Sequence, residues 1–245
     1  MRTALVTGVN GGIGSALTEA FIEEGYRVIG LDLQASPEVV CDEYVQCDLE
    51  RCASEEQYLT SKSTQVDALL GGDGLHVLVN NAALQLLKPT ESIGTDDWQK
   101  VLGINVVAPF LLVRSFLTQL ESVGGSVVNI SSIHGQLTKP GFVPYAVSKS
   151  ALDGLTRALA VDLGPRVRVN AVAPAATATP MLLDGFSGHP ELLDELAEVH
   201  PLGRIAQPHE IANVVVFLAS AAAGFISGAV VAVDAGIGGR LHDPT

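Results

Sequence analysis

Tyr145 and Lys149 stand one helical turn apart in the segment Tyr145-Ala146-Val147-Ser148-Lys149, in a chain of 245 residues with four tyrosines and five lysines. On a helix that spacing stacks the two side chains on one face. A free phenol titrates at about 10, too high for proton exchange near neutral pH, and a neighbouring ammonium favours the tyrosinate. The pair therefore has the makings of a tyrosine general acid/base. The plain alternative is a solvated helix pair, so the rest of the chain has to decide.

A second pattern lies near the amino terminus. Gly8, Gly12 and Gly14 in "TGVNGGIG" follow an apolar run and precede a helical pattern. Glycines there allow a tight turn and close backbone approach, and the helix N-terminus can receive a pyrophosphate. The next apolar run ends in Asp32, where an acid accepts hydrogen bonds from both hydroxyls of an adenosine ribose and repels a 2′-phosphate. Asn10, Gly11 and Leu33 offer no cation for such a phosphate, and Arg2 and Arg27 fall at strand starts, the wrong end of the sheet. NAD is expected over NADP.

Elements to hold these residues are legible as alternating runs. Strands are expected at 3–8, 27–33, 44–49, 76–81, 126–132, 167–173 and 229–234. Helices are expected at 14–25, 95–122, 144–163, around 181–199, and after Pro208. The alternation predicts an α/β fold, Rossmann-type and doubly wound, with a seven-stranded parallel sheet and helices on both faces. No linker or repeat divides the chain, so residues 1–245 are expected to form one dinucleotide-binding and catalytic domain.

Composition narrows the class. With 14 basic and 27 acidic residues the net charge is −13, and no Lys/Arg cluster offers a nucleic-acid or anionic-membrane footprint. Hydrophobic residues make up 47% and mean hydropathy is +0.34, as a sheet buried on both faces plus subunit contacts would require. Residues 211–233 carry no charge, but Gly224 and Ser227-Gly228 interrupt them, which favours a helix, a turn and a buried strand over a membrane span. Cys41, Cys47 and Cys52 lack metal or disulfide spacing and read as free thiols. The histidines show no metal-ligand spacing either. With no signal-peptide layout, a cytoplasmic protein is expected.

The ordered motifs resemble the short-chain dehydrogenase/reductase family over almost the whole chain. They are "TGVNGGIG", "LVNNAA" (78–83), "INVVAPF" (104–110), "VVNISS" (127–132), "YAVSK" (145–149), "VRVNAVAP" (167–174) and "ISGAVVAVDAG" (226–236). The resemblance implies a catalytic set of Asn105, Ser132, Tyr145 and Lys149, with Ser132 preferred to Ser131 by its spacing from Tyr145. Ser132 would orient the substrate oxygen, Lys149 would also bind the nicotinamide ribose, and Asn105 would anchor a proton-relaying water. On the cofactor side it implies Gly8, Asn10, Gly12, Ile13, Gly14, Asp32 and Leu33 around the dinucleotide, and Asp48 and Leu49 at the adenine. Asn81, Ala82 and Ala83 would lie along the adenosine ribose, and Pro174, Thr177 and Thr179 at the carboxamide. Three glycines usual in the family are alanines here: Ala83, Ala175 and Ala235.

Substrate contacts are expected from loops after the fourth, fifth and sixth strands: Gln85 in the first, Ser132 and His134 in the second, and Met181, Leu182 and Phe186 in the third. Residues 178–205 read as an apolar lid. Between Arg168 and Arg204 there is no Lys or Arg, which points to a neutral, partly hydrophobic secondary alcohol or ketone as the small-molecule substrate. Two other readings stay open: a 3-oxoacyl-carrier-protein reductase, against which Asp32 and the absence of basic residues from "LESVGG" (120–125) speak, and a non-catalytic NAD-binding regulator. The family further implies a homotetramer paired through helices at 103–122 and 146–163, with Arg240 and His242 in a tail that reaches a neighbouring subunit.

Overall fold

A computed structural model describes residues 1–241; His242 lies outside the described residues. In chain order the elements are β1 (Thr3–Thr7), α1 (Gly12–Glu23), β2 (Arg27–Asp32), β3 (Glu43–Gln46), α2 (Leu49–Ser54), α3 (Glu56–Leu70) and β4 (Val77–Asn80). Then come α4 (Thr95–Leu102), a π-helical turn (Gly103–Val107), α5 (Ala108–Ser115), α6 (Leu117–Glu121) and β5 (Ser126–Ile130). The last part holds α7 (Val143–Leu163), β6 (Arg168–Pro174), α8 (Pro180–Gly185), α9 (Pro190–Glu198), α10 (Pro208–Ala219) and β7 (Val230–Val233).

All seven strands are parallel, in the order β3-β2-β1-β4-β5-β6-β7. Successive strand residues point to opposite faces, and both faces are covered. Leu5, Leu78, Val127 and Val169 face one layer with Leu59, Leu112, Phe116 and Leu159. Ala4, Val6, Val28, Val79 and Val128 face the other, with Leu17 and Phe21 of α1 and Ile211, Val215 and Leu218 of α10. The chain runs away from β1 in opposite directions to β2 and β4, which opens a crevice at the carboxyl ends of these strands.

Several elements differ from their sequence expectation, among them the helical segment expected around 181–199, which is two helices, α8 and α9. The helix expected at 95–122 is broken at Gly103–Val107, where the Ala108 N–H reaches back five residues to the Gly103 carbonyl. Pro109 has no N–H to return to the Asn105 carbonyl, so the regular ladder cannot continue there. Between β3 and β4, α2 and α3 were not foreseen: α3 buries only Leu59, Val66 and Leu70, a thin apolar stripe. The third strand stops at Gln46 because Asp48 turns away to cap α2, its Oδ1 accepting from the N–H groups of Glu50 at 2.9 Å and Arg51 at 3.4 Å. The apolar stretch 211–233 is α10, a short turn and β7, and among the described residues no helix is long and apolar enough to cross a membrane.

Candidate active site

α7 places Tyr145 in its first turn and Lys149 one turn on, with the Lys149 ammonium 5.6 Å from the centre of the phenol ring. The Lys149 side chain is 2% exposed and donates to the Ile130 carbonyl at the end of β5, at 2.7 Å. Burial pulls it down to about 8, opposed by the negative charge of Asp153. The phenol of Tyr145 behaves otherwise than its neighbour led us to expect. Burial pushes it up, and a hydrogen bond with Ser132 is what draws it back.

That bond also separates two adjacent serines. Ser132 leaves β5 in an extended conformation with its hydroxyl accepting from the His134 N–H at 3.2 Å and within hydrogen-bond reach of Tyr145. Ser131 points the other way, its hydroxyl donating to the Lys149 carbonyl at 3.4 Å. Asn105 sits in the π-helical turn, 1% exposed. Its Oδ1 accepts from the Leu84 N–H at 2.8 Å, and its Nδ2 donates to the Leu84 carbonyl at 3.0 Å and to Ser148 Oγ at 2.9 Å. Ser148, which the sequence reading left out, closes the link by donating to the Tyr145 carbonyl at 2.7 Å.

His134 lies parallel to the Phe142 ring at 4.4 Å and edge-on to Tyr145 at 5.8 Å, which makes an aromatic wall beside the phenol. Burial pulls the imidazole down, and Lys139 adds to this. The loops after β4 and β5 are joined by Lys88 N–H to the Gly141 carbonyl at 3.0 Å, and between them opens a recess of about 530 Å³ lined by Leu87, Pro89, Pro140 and Val143. Gln85 is half-buried next to this loop. In α8, Met181 is exposed while Leu182 and the following Phe186 are half-buried.

The glycine turn has the tightness its spacing implied. Gly8 takes φ +69°, and a Cβ on Gly14 would come within 1.9 Å of the Gly8 carbonyl oxygen. A Cβ on Gly12 would meet Pro180 and Thr179 at 2.9 and 3.0 Å, so the start of the 178–205 segment crosses directly over the turn. Ile13 is half-buried against the core of α1 and α10. Asn81 braces the turn from β4, its Nδ2 donating to the carbonyls of Thr7 at 2.8 Å and Gly8 at 3.1 Å. Ala82 donates its N–H to Thr7 Oγ1 at 3.0 Å, and Ala83 is exposed.

At the end of β2, Asp32 Oδ2 accepts from the Asn10 N–H at 3.0 Å and Oδ1 from the Gln34 N–H at 3.3 Å. The Asn10 amide is spent on the loop after β2, where it donates to Gln34 Oε1 at 2.9 Å and the Ser36 carbonyl at 3.2 Å and accepts from the Glu38 N–H at 2.8 Å. Asn10 is therefore a loop clasp here. Leu33 stands exposed beside it, whereas Leu49 is turned into the core and can offer an adenine only its backbone. Pro174 ends β6 buried, Thr177 is buried with its hydroxyl on the Ala175 carbonyl at 3.2 Å, and Thr179 caps α8 by accepting from the Leu182 N–H at 3.3 Å.

The enoyl-(acyl carrier protein) reductase family model matches residues 8–238. Protein FixR of Bradyrhizobium diazoefficiens is 36% identical, with 96% of this chain and 86% of that protein covered. The 3-alpha-(or 20-beta)-hydroxysteroid dehydrogenase of Mycobacterium tuberculosis is 34% identical, with 99% and 92% covered. This chain belongs to the short-chain dehydrogenase/reductase family.

Solved members share the fold closely. The ligand-free aldohexose dehydrogenase of Thermoplasma acidophilum superposes with a TM-score of 0.90 at 28% identity, covering 100% of this chain and 96% of that one. The complex of 4-hydroxyisoleucine dehydrogenase with NADH gives 0.88 at 28% identity, covering 98% and 100%. As a member of this family the short-chain dehydrogenase/reductase is an oxidoreductase of secondary alcohols and ketones, with a nicotinamide cofactor and a small-molecule substrate. The residues present fit such a cofactor: the close-packed glycine turn opens the N-terminus of α1, and an acid stands at the end of β2.

Proposed function

We propose that this short-chain dehydrogenase/reductase interconverts a neutral, partly apolar secondary alcohol and its ketone with NAD(H), Tyr145 being the general acid/base. The observation that carries this reading is the convergence of Ser132 and Lys149 on Tyr145 at the carboxyl end of β5, beside the aromatic wall of His134 and Phe142.

The bound cofactor supplies the nicotinamide ring that accepts or donates the hydride. Tyr145 takes the hydroxyl proton of the alcohol as tyrosinate, and returns it to the carbonyl oxygen in the reverse direction. Ser132 holds the same oxygen by hydrogen bonding and fixes its angle to the phenol. Lys149 stands with its ammonium 5.6 Å from the ring centre, near enough for a positive charge there to favour the tyrosinate, and it would bind the nicotinamide ribose. Asn105, pinned to both Leu84 and Ser148, keeps the loop after β4 in register with the second turn of α7 and presents a polar floor for a relay water.

Asp32 supports NAD over NADP, since its carboxylate stands where a 2′-phosphate would come and the turn beside it carries Asn10 and Gln34 in place of cations. Residues 178–205 act as the substrate lid. Met181, Leu183 and Leu192 are exposed on it, and it has no Lys or Arg short of Arg204, which favours an uncharged ligand. The site residues Asp48, Thr177 and Thr179 keep the roles assigned above toward adenine and carboxamide. Val107 and Phe110 next to the π-helical turn and Val147 and Val161 on α7 are exposed apolar side chains, the faces through which a homotetramer would pair; light scattering on the purified protein tests this. The compartment we assign is the cytoplasm.

The test follows nicotinamide absorbance with NAD and a panel of secondary alcohols, for wild type and Tyr145→Phe. Turnover by wild type with loss of at least a thousandfold in Tyr145→Phe, NAD binding being retained, is expected. Equal turnover by both proteins removes Tyr145 from the mechanism. A carboxylate or phosphate substrate that wins by a hundredfold in kcat/KM overturns the neutral-substrate assignment.

A further inference from the structure

The face of α7 that carries Tyr145 and Lys149 continues, at the same helical spacing, through Asp153 to Arg157. Asp153 is a carboxylate only 5% exposed, and its Oδ1 is buried without a hydrogen-bond partner. An unpartnered carboxylate oxygen at that depth is costly unless a charge compensates it. Burial pushes the carboxyl up, and two cations draw it back only in part, Arg157 one turn after it and Lys149 one turn before. The Ser131 hydroxyl lies within reach of Asp153, but its one proton goes to the Lys149 carbonyl at 3.4 Å. On its other side the carboxylate packs against Gly135, in the turn that follows Ser132. A Cβ there would lie 2.7 Å from Asp153 Oδ2, so the glycine lets the turn close over the acid without displacing its carboxylate.

Lys149 needs such a partner. Its ammonium is buried, its one hydrogen bond goes to the neutral Ile130 carbonyl, and the one charge that acts appreciably on it among the described residues is Asp153. Tyr145, edge-on to His134, lies one turn before Lys149, Asp153 one turn after it and Arg157 two turns after it, while the π-helical turn presents the uncharged Asn105 to Ser148.

We propose that Asp153 is a positioning residue: from one turn behind, its carboxylate holds Lys149 in the ammonium form on which the acidity of Tyr145 depends. The inference rests on the proposed roles of Tyr145 and Lys149, but the charge of Lys149 can be read without turnover. Burial alone favours the amine, which is why the counter-charge matters.

The experiment labels lysine with carbon-13 at Cε, which yields five signals for five lysines, and assigns Lys149 through Lys149→Met. In wild type the Lys149 signal should titrate near the value of about 8 that burial and Asp153 set together. In Asp153→Asn it should titrate at least half a pH unit lower, and Asp153→Glu should restore most of the difference. The acid limb of kcat/KM for alcohol oxidation should move to higher pH in Asp153→Asn, because Tyr145 loses the ammonium sooner. An unchanged Lys149 titration in a folded Asp153→Asn overturns the proposal, since a purely structural acid would lower the melting temperature without moving that signal. A shifted Lys149 with an unmoved rate profile leaves the hold intact and counts against the proposed mechanism instead. Should Asp153→Asn fail to fold, the carbon-13 carboxyl signal of Asp153 in wild type decides, assigned with Asp153→Glu. An ionised carboxylate at pH 7 sustains the proposal and a protonated one overturns it.

Discussion

Asn105 Nδ2 donates to Ser148 Oγ at 2.9 Å, and this bond ties the π-helical turn to the second turn of α7. Because the Ser148 hydroxyl passes on to the Tyr145 carbonyl, the backbone of the phenol is held by a residue 40 places earlier in the chain. Ser148→Ala removes the bridge but leaves Asn105 its bonds to Leu84, while Asn105→Ala strips the Leu84 N–H and carbonyl as well. We expect a loss of about 1 kcal/mol for Ser148→Ala and about 2–3 kcal/mol for Asn105→Ala, with kcat falling in the same order. Urea denaturation and steady-state kinetics on both variants check this, and equal effects would show that the Leu84 contacts carry nothing.

Cofactor choice should follow the Asp32 carboxylate and the Asn10 clasp in different ways. Asp32→Ser with Leu33→Arg removes the repulsion and adds a cation, so the ratio of kcat/KM for NADP over NAD should rise by a hundredfold or more. Asn10→Ala frees the loop at 34–38 but keeps the acid. Its loss of one or two net hydrogen bonds should weaken NAD by about tenfold without a gain for NADP. Fluorescence titration with both cofactors separates the two cases.

The glycine turn leaves no slack. In Gly14→Ala the new Cβ would overlap the Gly8 carbonyl oxygen at 1.9 Å, and that atom is backbone that cannot swing aside. The variant should lose cofactor binding and about 3 kcal/mol or more of stability. Gly11→Ala meets the same oxygen only at 3.3 Å and should cost far less. Thermal melts with and without NAD compare them.

Ala235 takes φ +53°, a left-handed conformation that costs a residue with a Cβ about 1 kcal/mol. It replaces the glycine usual at this place in the family, and Asp234 secures the turn by accepting from the N–H groups of Gly236 at 2.9 Å and Gly238 at 3.0 Å. Ala235→Gly should raise Tm by about 1–2 °C, the relief of strain being partly offset by the greater freedom of the unfolded chain. An unchanged or lower Tm would mean that the turn relaxes at no cost.

The far end of the 178–205 segment is tied by Arg204 to Glu210, two guanidinium nitrogens lying 2.7 Å from the carboxylate oxygens. The arginine and the Gln207 N–H hold the Glu210 carboxyl down to about 2. A folded-state value below the unfolded one means that the stabilisation is full above about 4.5 and is lost as pH falls toward 2. Glu210→Gln should therefore melt a few degrees below wild type at pH 7, and the gap should close as the pH approaches 2. A gap that persists at low pH would assign the effect to helix capping by the side chain and not to its charge.

What the sequence by itself determined is what depends on neighbours in the chain. Alternating apolar runs set seven strands, the central ones buried on both faces while β7 at the edge is only half-buried, the glycine spacing set a turn too tight for side chains, and the Tyr145–Lys149 spacing put phenol and ammonium on one helix face. The tertiary structure decided whatever hangs on a partner far along the chain. It turned Ser132 toward Tyr145 and Ser131 toward the Lys149 carbonyl, made Asp48 the cap of an unforeseen helix, and sank the Leu49 side chain into the core. It also broke the helix at Asn105 so that one amide could serve Leu84 and Ser148 together. Spacing fixes the direction of a side chain only relative to its own element, whereas hydrogen bonds and burial are settled by whichever distant segment packs against it.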